Sequence, residues 1–75
     1  MNVDKLVKKA EVEHKRSKKS KGLCYMLALA DVKPGLANFL RGSVYDPTNN
    51  DARIPNFIKF LKTHGWNYYG FYLDV

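Results

Sequence analysis

Residues 23–30 read Leu-Cys-Tyr-Met-Leu-Ala-Leu-Ala, eight positions without a polar backbone breaker or a charge. Wound as a helix, such a run is apolar on nearly every side, and a helix of that kind has to be buried by the rest of its domain. Any fold open to this chain therefore has to wrap other elements around residues 23–31. Leu23, Met26, Leu27 and Ala30 fall on one stripe, with Cys24, Tyr25 and Leu29 adding apolar surface beside it. Ser20 is placed to cap this helix, Gly22 to ease the change of direction before it, and Pro34-Gly35 to end it. Eight residues fall far short of the roughly 20 a membrane span requires, so no membrane role is expected.

The flanking segments supply the wrapping. Val3, Leu6, Val7 and Ala10 share one helical face, predicting a helix over 3–19 whose first half docks on the core. Its second half, His14 to Lys21, is polar throughout and is expected to project into solvent or onto a partner. Pro34 can open a short helix with Leu36, Phe39 and Leu40 inward and Gly42 just past its end. Asp46 to Asp51 is a dense set of turn formers. Pro55 opens another helix with Ile54, Phe57, Ile58 and Leu61 as its stripe and Gly65 as its stop. The expectation is a mainly α fold, with a small α+β variant open: three to four short helices around the central helix 23–31, and an aromatic C-terminal strand or extended tail. Five of the ten aromatics crowd into residues 66–75. A strand there needs a partner; the choices are Ser43–Tyr45, another chain, or irregular packing over the helices, and the first is favoured.

Charge divides unevenly along this layout. Of the net +6, +5 falls on residues 1–22 and +1 on residues 23–75. The expected organisation is a basic N-terminal helix or arm, 1–22, and a compact helical body, 23–75, with the aromatic tail. A basic arm calls for an acidic partner. The contact residues it offers are Lys8, Lys9, Lys15, Arg16, Lys18, Lys19 and Lys21, the last five lying within seven positions. Phosphates would be met by the same cations, with binding that falls steeply with salt. A helix-turn-helix over Leu23–Asp31 and Pro34–Arg41 would offer only Asn38 and Arg41 as strong base readers. Trp66, Tyr68, Tyr69 and Tyr72 are the aromatic candidates for a protein interface.

Catalytic and metal chemistry lack their residues. Cys24, His14 and His64 have no zinc-site spacing. The Asp46 loop has Asp51 at its sixth position, where a calcium loop has glycine, and Phe57 at its twelfth, where glutamate belongs. A helix spreads Glu11, Glu13 and His14 over different faces, and no base accompanies Cys24. The five glycines are dispersed, so no phosphate loop forms. No enzyme activity, no cofactor and no metal are expected. A single cysteine fits a reducing cytoplasm.

Gly22-Leu23-Cys24-Tyr25-Met26-Leu27, followed by short helices closing at Lys62-Thr63-His64-Gly65-Trp66, resembles short accessory proteins of tailed bacteriophages. The likeness is one of layout, spans residues 22–66 and carries no site residue across. It implies a small protein made in an infected cell's cytoplasm that binds and alters a host enzyme or nucleoprotein. The resulting expectation is a non-catalytic interaction protein, a phage-encoded modulator or inhibitor of a host factor, with a basic arm and aromatic anchors; nucleic-acid binding is the alternative. Completion of the small body by homodimerisation is open.

Overall fold

The apolar run does take the central place. In the computed structural model, which describes residues 3–65, it lies within a helix that packs against both the segment before it and the segment after it. The elements are α1 (Val3–Ser17), α2 (Lys21–Val32), α3 (Pro34–Leu40) and α4 (Ile54–Phe60). A short 3-10 turn, Asp51–Arg53, leads into α4, and a wider turn, Leu61–Gly65, extends it. The fold is mainly helical, and the described residues contain no strand.

Helix α1 ends two residues earlier than the apolar pattern suggests. Lys18 adopts a left-handed backbone with φ of 62°, a conformation that terminates helices. The turn is held by Ser17 Oγ, which donates to the Glu13 carbonyl at 2.8 Å, and by His14 Nδ1, which lies 2.8 Å from the Lys19 carbonyl. Three connecting residues force α1 and α2 into an antiparallel hairpin. Lys9 accordingly meets Asp31, and Glu11 meets Tyr25 and Lys21. Val3, Leu6 and Ala10 of α1 are buried in the same core as α2, α3 and α4, and α2 already begins at Lys21. Glu11 ties the middle of α1 to α2, while Lys15, Arg16, Lys18 and Lys19, in the polar stretch after it, are exposed.

Ser20 caps α2 as its position suggests, accepting from Leu23 N at 3.3 Å. Gly22 does something other than ease a bend. It is buried in the first turn of α2, where a Cβ would stand 1.7 Å from the Pro47 carbonyl oxygen. Its N–H donates to Asp51 Oδ1 at 2.8 Å, so the helix start is docked on the 46–51 loop.

The inward face of α2 also differs from the expected stripe. Tyr25, Met26, Leu29, Cys24 and Ala28 are buried, whereas Leu27 is 42% exposed and Leu23 and Ala30 are only half-buried. The three surrounding helices cover one broad side of α2 and leave the other open. In α3 the buried positions are Leu36, Ala37 and Leu40. That stripe turns Phe39 outward, to 60% exposure, in place of the core position expected for it.

Ser43–Tyr45 forms a turn and not a strand. The physical reason is the Asp46 carboxylate, which accepts from Gly42 N at 2.8 Å and from Thr48 N at 2.9 Å and curls the segment on itself. Burial pushes the Asp46 carboxyl up, yet the Gly42 and Thr48 donors outweigh it and hold the group below its ordinary value. Arg53 reaches back to the Ser43 carbonyl at 3.2 Å and locks the loop to the start of α4. Phe57 then meets Tyr25 edge to face, ring centroids 6.2 Å apart, closing the core between α4 and α2. The aromatic tail, 66–75, lies outside the described residues, as does its pairing.

Candidate acidic-partner interface

At 100° per residue, α1 sorts its side chains by charge as well as by polarity. Val3, Leu6 and Ala10 face inward. Lys5, Lys8, Lys9, Val12, Lys15 and Arg16 are exposed and occupy about a third of the helix circumference, an arc with no carboxylate in it. Asp4 and Glu11 lie on one side of that arc, Asp4 paired with Lys62, and Glu13 lies on the other.

The two glutamates are engaged within the fold. Glu11 Oε2 accepts from the Tyr25 hydroxyl at 3.0 Å and from Lys21 Nζ at 3.2 Å. Burial pushes the Glu11 carboxyl up, but the Tyr25 donor and the Lys21 ammonium together outweigh it and hold the group below the usual carboxylate value. Burial, together with the adjacent Glu11, pushes the Tyr25 hydroxyl up to about 12. Glu13 is paired with Arg16, three residues on.

The seven cations singled out in the sequence thus fall into two groups. Lys9 is paired with Asp31, Arg16 with Glu13 and Lys21 with Glu11. Lys8, Lys15, Lys18 and Lys19 are exposed and have no ion-pair partner among the described residues. Lys8 and Lys15 are seven residues apart, two turns and roughly 10 Å along the axis. Between them stands Val12, 63% exposed. Lys18 and Lys19 continue the positive surface around the hairpin turn.

The other candidates are placed as follows. Asn38 and Arg41 are exposed on and just after α3, which is only seven residues long. Cys24 is buried. Among the described residues no three His, Cys, Asp or Glu side chains gather into a cation site, and no helix is long and apolar enough to cross a membrane. Trp66, Tyr68, Tyr69 and Tyr72 lie outside the described residues, and the side chain of His64 does too.

The described residues also form surface concavities. One of about 260 Å³ runs between α1 and α2, floored by Cys24 and Ala28 and flanked by Leu27, Lys9, Glu13, Lys19 and Asp31. Another, about 490 Å³, is lined by Tyr45 and Phe60, whose rings are tilted 35° to each other with centroids 4.8 Å apart. The sequence gives little sign of the first, because the apolar run has no periodicity to say which side of α2 stays open. Comparison with known protein families, curated proteins and solved structures finds no match to this chain.

Proposed function

We propose that this chain is a non-catalytic interaction protein that docks an acidic protein surface on the outward face of α1, working in a reducing cytoplasm. The observation that supports this is the sorting of charge across α1. Its glutamates are tied to Tyr25, Lys21 and Arg16 and its Asp4 to Lys62, while Lys8 and Lys15 have no ion-pair partner among the described residues and stand on either side of an exposed Val12. An apolar contact ringed by charge is the layout of a small protein interface. Exposed ion pairs contribute about 0.2–1 kcal/mol each. Lys8, Lys15, Lys18 and Lys19 would therefore set orientation and association rate, and Val12 would add a modest apolar contact. The resemblance to phage accessory proteins makes a host protein the first partner to seek.

Nucleic acid is the second reading. It is favoured by Lys15, Lys18 and Lys19, which are exposed close to the turn and without ion-pair partners among the described residues. Phosphate contact needs such cations and has no use for Val12.

The test uses the full chain as bait in nuclease-treated lysate of its own cell, together with Lys8→Glu/Lys15→Glu and Val12→Ser variants. A stoichiometric acidic protein retained by wild type, lost with the double variant and weakened with Val12→Ser, supports the first reading. Loss of all retention on nuclease treatment, with an oligonucleotide shift that collapses between low and moderate salt, replaces it with the second.

A further inference from the structure

We infer that the open face of α2 pairs with a second copy of this chain, antiparallel and centred on Leu27. Leu23, Leu27 and Ala30 follow one another at i, i+4 and i+7, the spacing of a helix–helix seam. Leu27 is 42% exposed in the middle of that seam. Beside the ridge lies the groove of about 260 Å³ whose floor is made by Cys24 and Ala28. A leucine knob next to a hole floored by small side chains is what two identical helices need to interdigitate.

Charge selects the occupant. The chain carries a net +6, yet the rim of this groove balances Lys9 and Lys19 against Glu13 and Asp31. An acidic partner or a polyanion gains nothing from a neutral rim and has the outer face of α1 available. A second copy does gain. Glu13 and Lys19 flank the end near the start of α2, and Lys9 and Asp31 flank the other. A two-fold axis through Leu27 lays one end over the other. Asp31 of one copy, which also holds Lys9 within its own fold, then faces Lys19 of the second, and Lys9 faces Glu13, which also holds Arg16 in its own copy, each contact occurring twice as an isologous contact requires. The axis leaves Lys8, Val12 and Lys15 outside the contact, so the pairing stands whether or not α1 binds an acidic protein.

One helix face falls short of the roughly 1,600 Å² of a standard stable interface, so the association is weak and concentration-dependent. Sedimentation velocity of the full chain, from about 5 to 500 µM at low salt, spans the range in which such an interface populates. The expected result is a shift from 8.6 kDa toward twice that mass. Leu27→Glu is expected to weaken dimerisation at least about tenfold while leaving the thermal melt in place, since the side chain is exposed. Asp31→Lys weakens it too, and adding Lys19→Glu restores it, a rescue independent of how the leucine variant folds. A wild-type mass that stays monomeric throughout, a dimer indifferent to Leu27→Glu, or absence of charge-swap rescue overturns the proposal.

Discussion

Gly22→Ala sets two ordinary effects against each other, and the structure decides the winner. Alanine is the better helix former by about 0.8–1 kcal/mol. Gly22 lies in the first turn of α2, so propensity alone forecasts a more stable protein. The new Cβ, however, would stand 1.7 Å from the Pro47 oxygen, 2.7 Å from the Pro47 carbonyl carbon and 3.0 Å from Asp51 Oδ1. The first two are backbone atoms of a buried residue and cannot swing aside. Ordinary contact requires the loop and helix to part by about 1.7 Å or more. That parting breaks the 2.8 Å bond from Gly22 N to Asp51, a charge-assisted bond worth about 1.5–3 kcal/mol. It also opens the packing around Pro47, which is fully buried, at a further cost of about 1–2 kcal/mol. After the propensity gain the net loss is about 2–4 kcal/mol. For a domain of this size that lowers Tm by roughly 10–25 °C. Thermal melts followed by circular dichroism give the answer directly. Asp51→Ala should cost less than Gly22→Ala, and the double variant should fall short of the sum, because both lose the same bond. A Gly22→Ala protein that melts at or above wild type refutes the docking of α2 on this loop.

Four further outcomes are expected. Acid should destabilise the fold: Glu11 and Asp46 have lowered folded values, so the stability they contribute is present above the unfolded carboxylate range and is lost as pH falls from about 5 through those values, measurable as Tm against pH. At the alkaline end Tyr25, raised to about 12, acts with the opposite sign, its contribution present below pH about 10 and lost on rising toward 12, and Tyr25→Phe should remove that limb. Phe57→Ala, at a fully buried site, should cost about 3–5 kcal/mol in urea titration, whereas Phe39→Ser, at a position 60% exposed, should cost under about 1 kcal/mol; equal losses would contradict the orientation of α3. Lys18→Gly should stabilise by about 0.5–1 kcal/mol by relieving the left-handed backbone at φ 62°, with no gain meaning that the turn is otherwise built.

What the sequence made legible was local. Ser20 as a cap, Pro34 as a helix start, Gly42 past the end of α3 and the stripe of Ile54, Phe57 and Leu61 all act over one or two turns, and each is found where its own chemistry puts it. What it hid was long-range or degenerate. Residues 23–30 are apolar on every side, so nothing in them says which face of α2 turns inward; the packing of α1 and α3 makes that choice and leaves Leu27 out. Gly22 looks like a hinge until Pro47, twenty-five positions away, is laid against it. The same division runs through the candidate interface. The cations could be counted in advance, but Asp31 binding Lys9 and Glu11 binding Lys21 depend on the antiparallel hairpin, and those pairs, with the local Arg16–Glu13 pair, separate the cations engaged in the fold from Lys8, Lys15, Lys18 and Lys19.

Charge that looked partitioned along the chain is, in the folded protein, partitioned across α1. Glu11 holds the hairpin together through Tyr25 and Lys21, as Lys9 does through Asp31, whereas Lys8 and Lys15 make no ion pair among the described residues. The two roles should therefore separate by mutation. Glu11→Gln removes the charge from a hydrogen-bonded group facing α2, so its effect belongs in stability, and especially in the acid limb of the Tm profile. Lys8→Glu with Lys15→Glu alters exposed side chains with no ion-pair partners among the described residues, so its effect belongs in binding and its salt dependence, with Tm nearly unmoved. If the outer variants unfolded the protein, or the Glu11 variant abolished binding while leaving Tm intact, the cations and acids of α1 would have to exchange the roles the hairpin gives them.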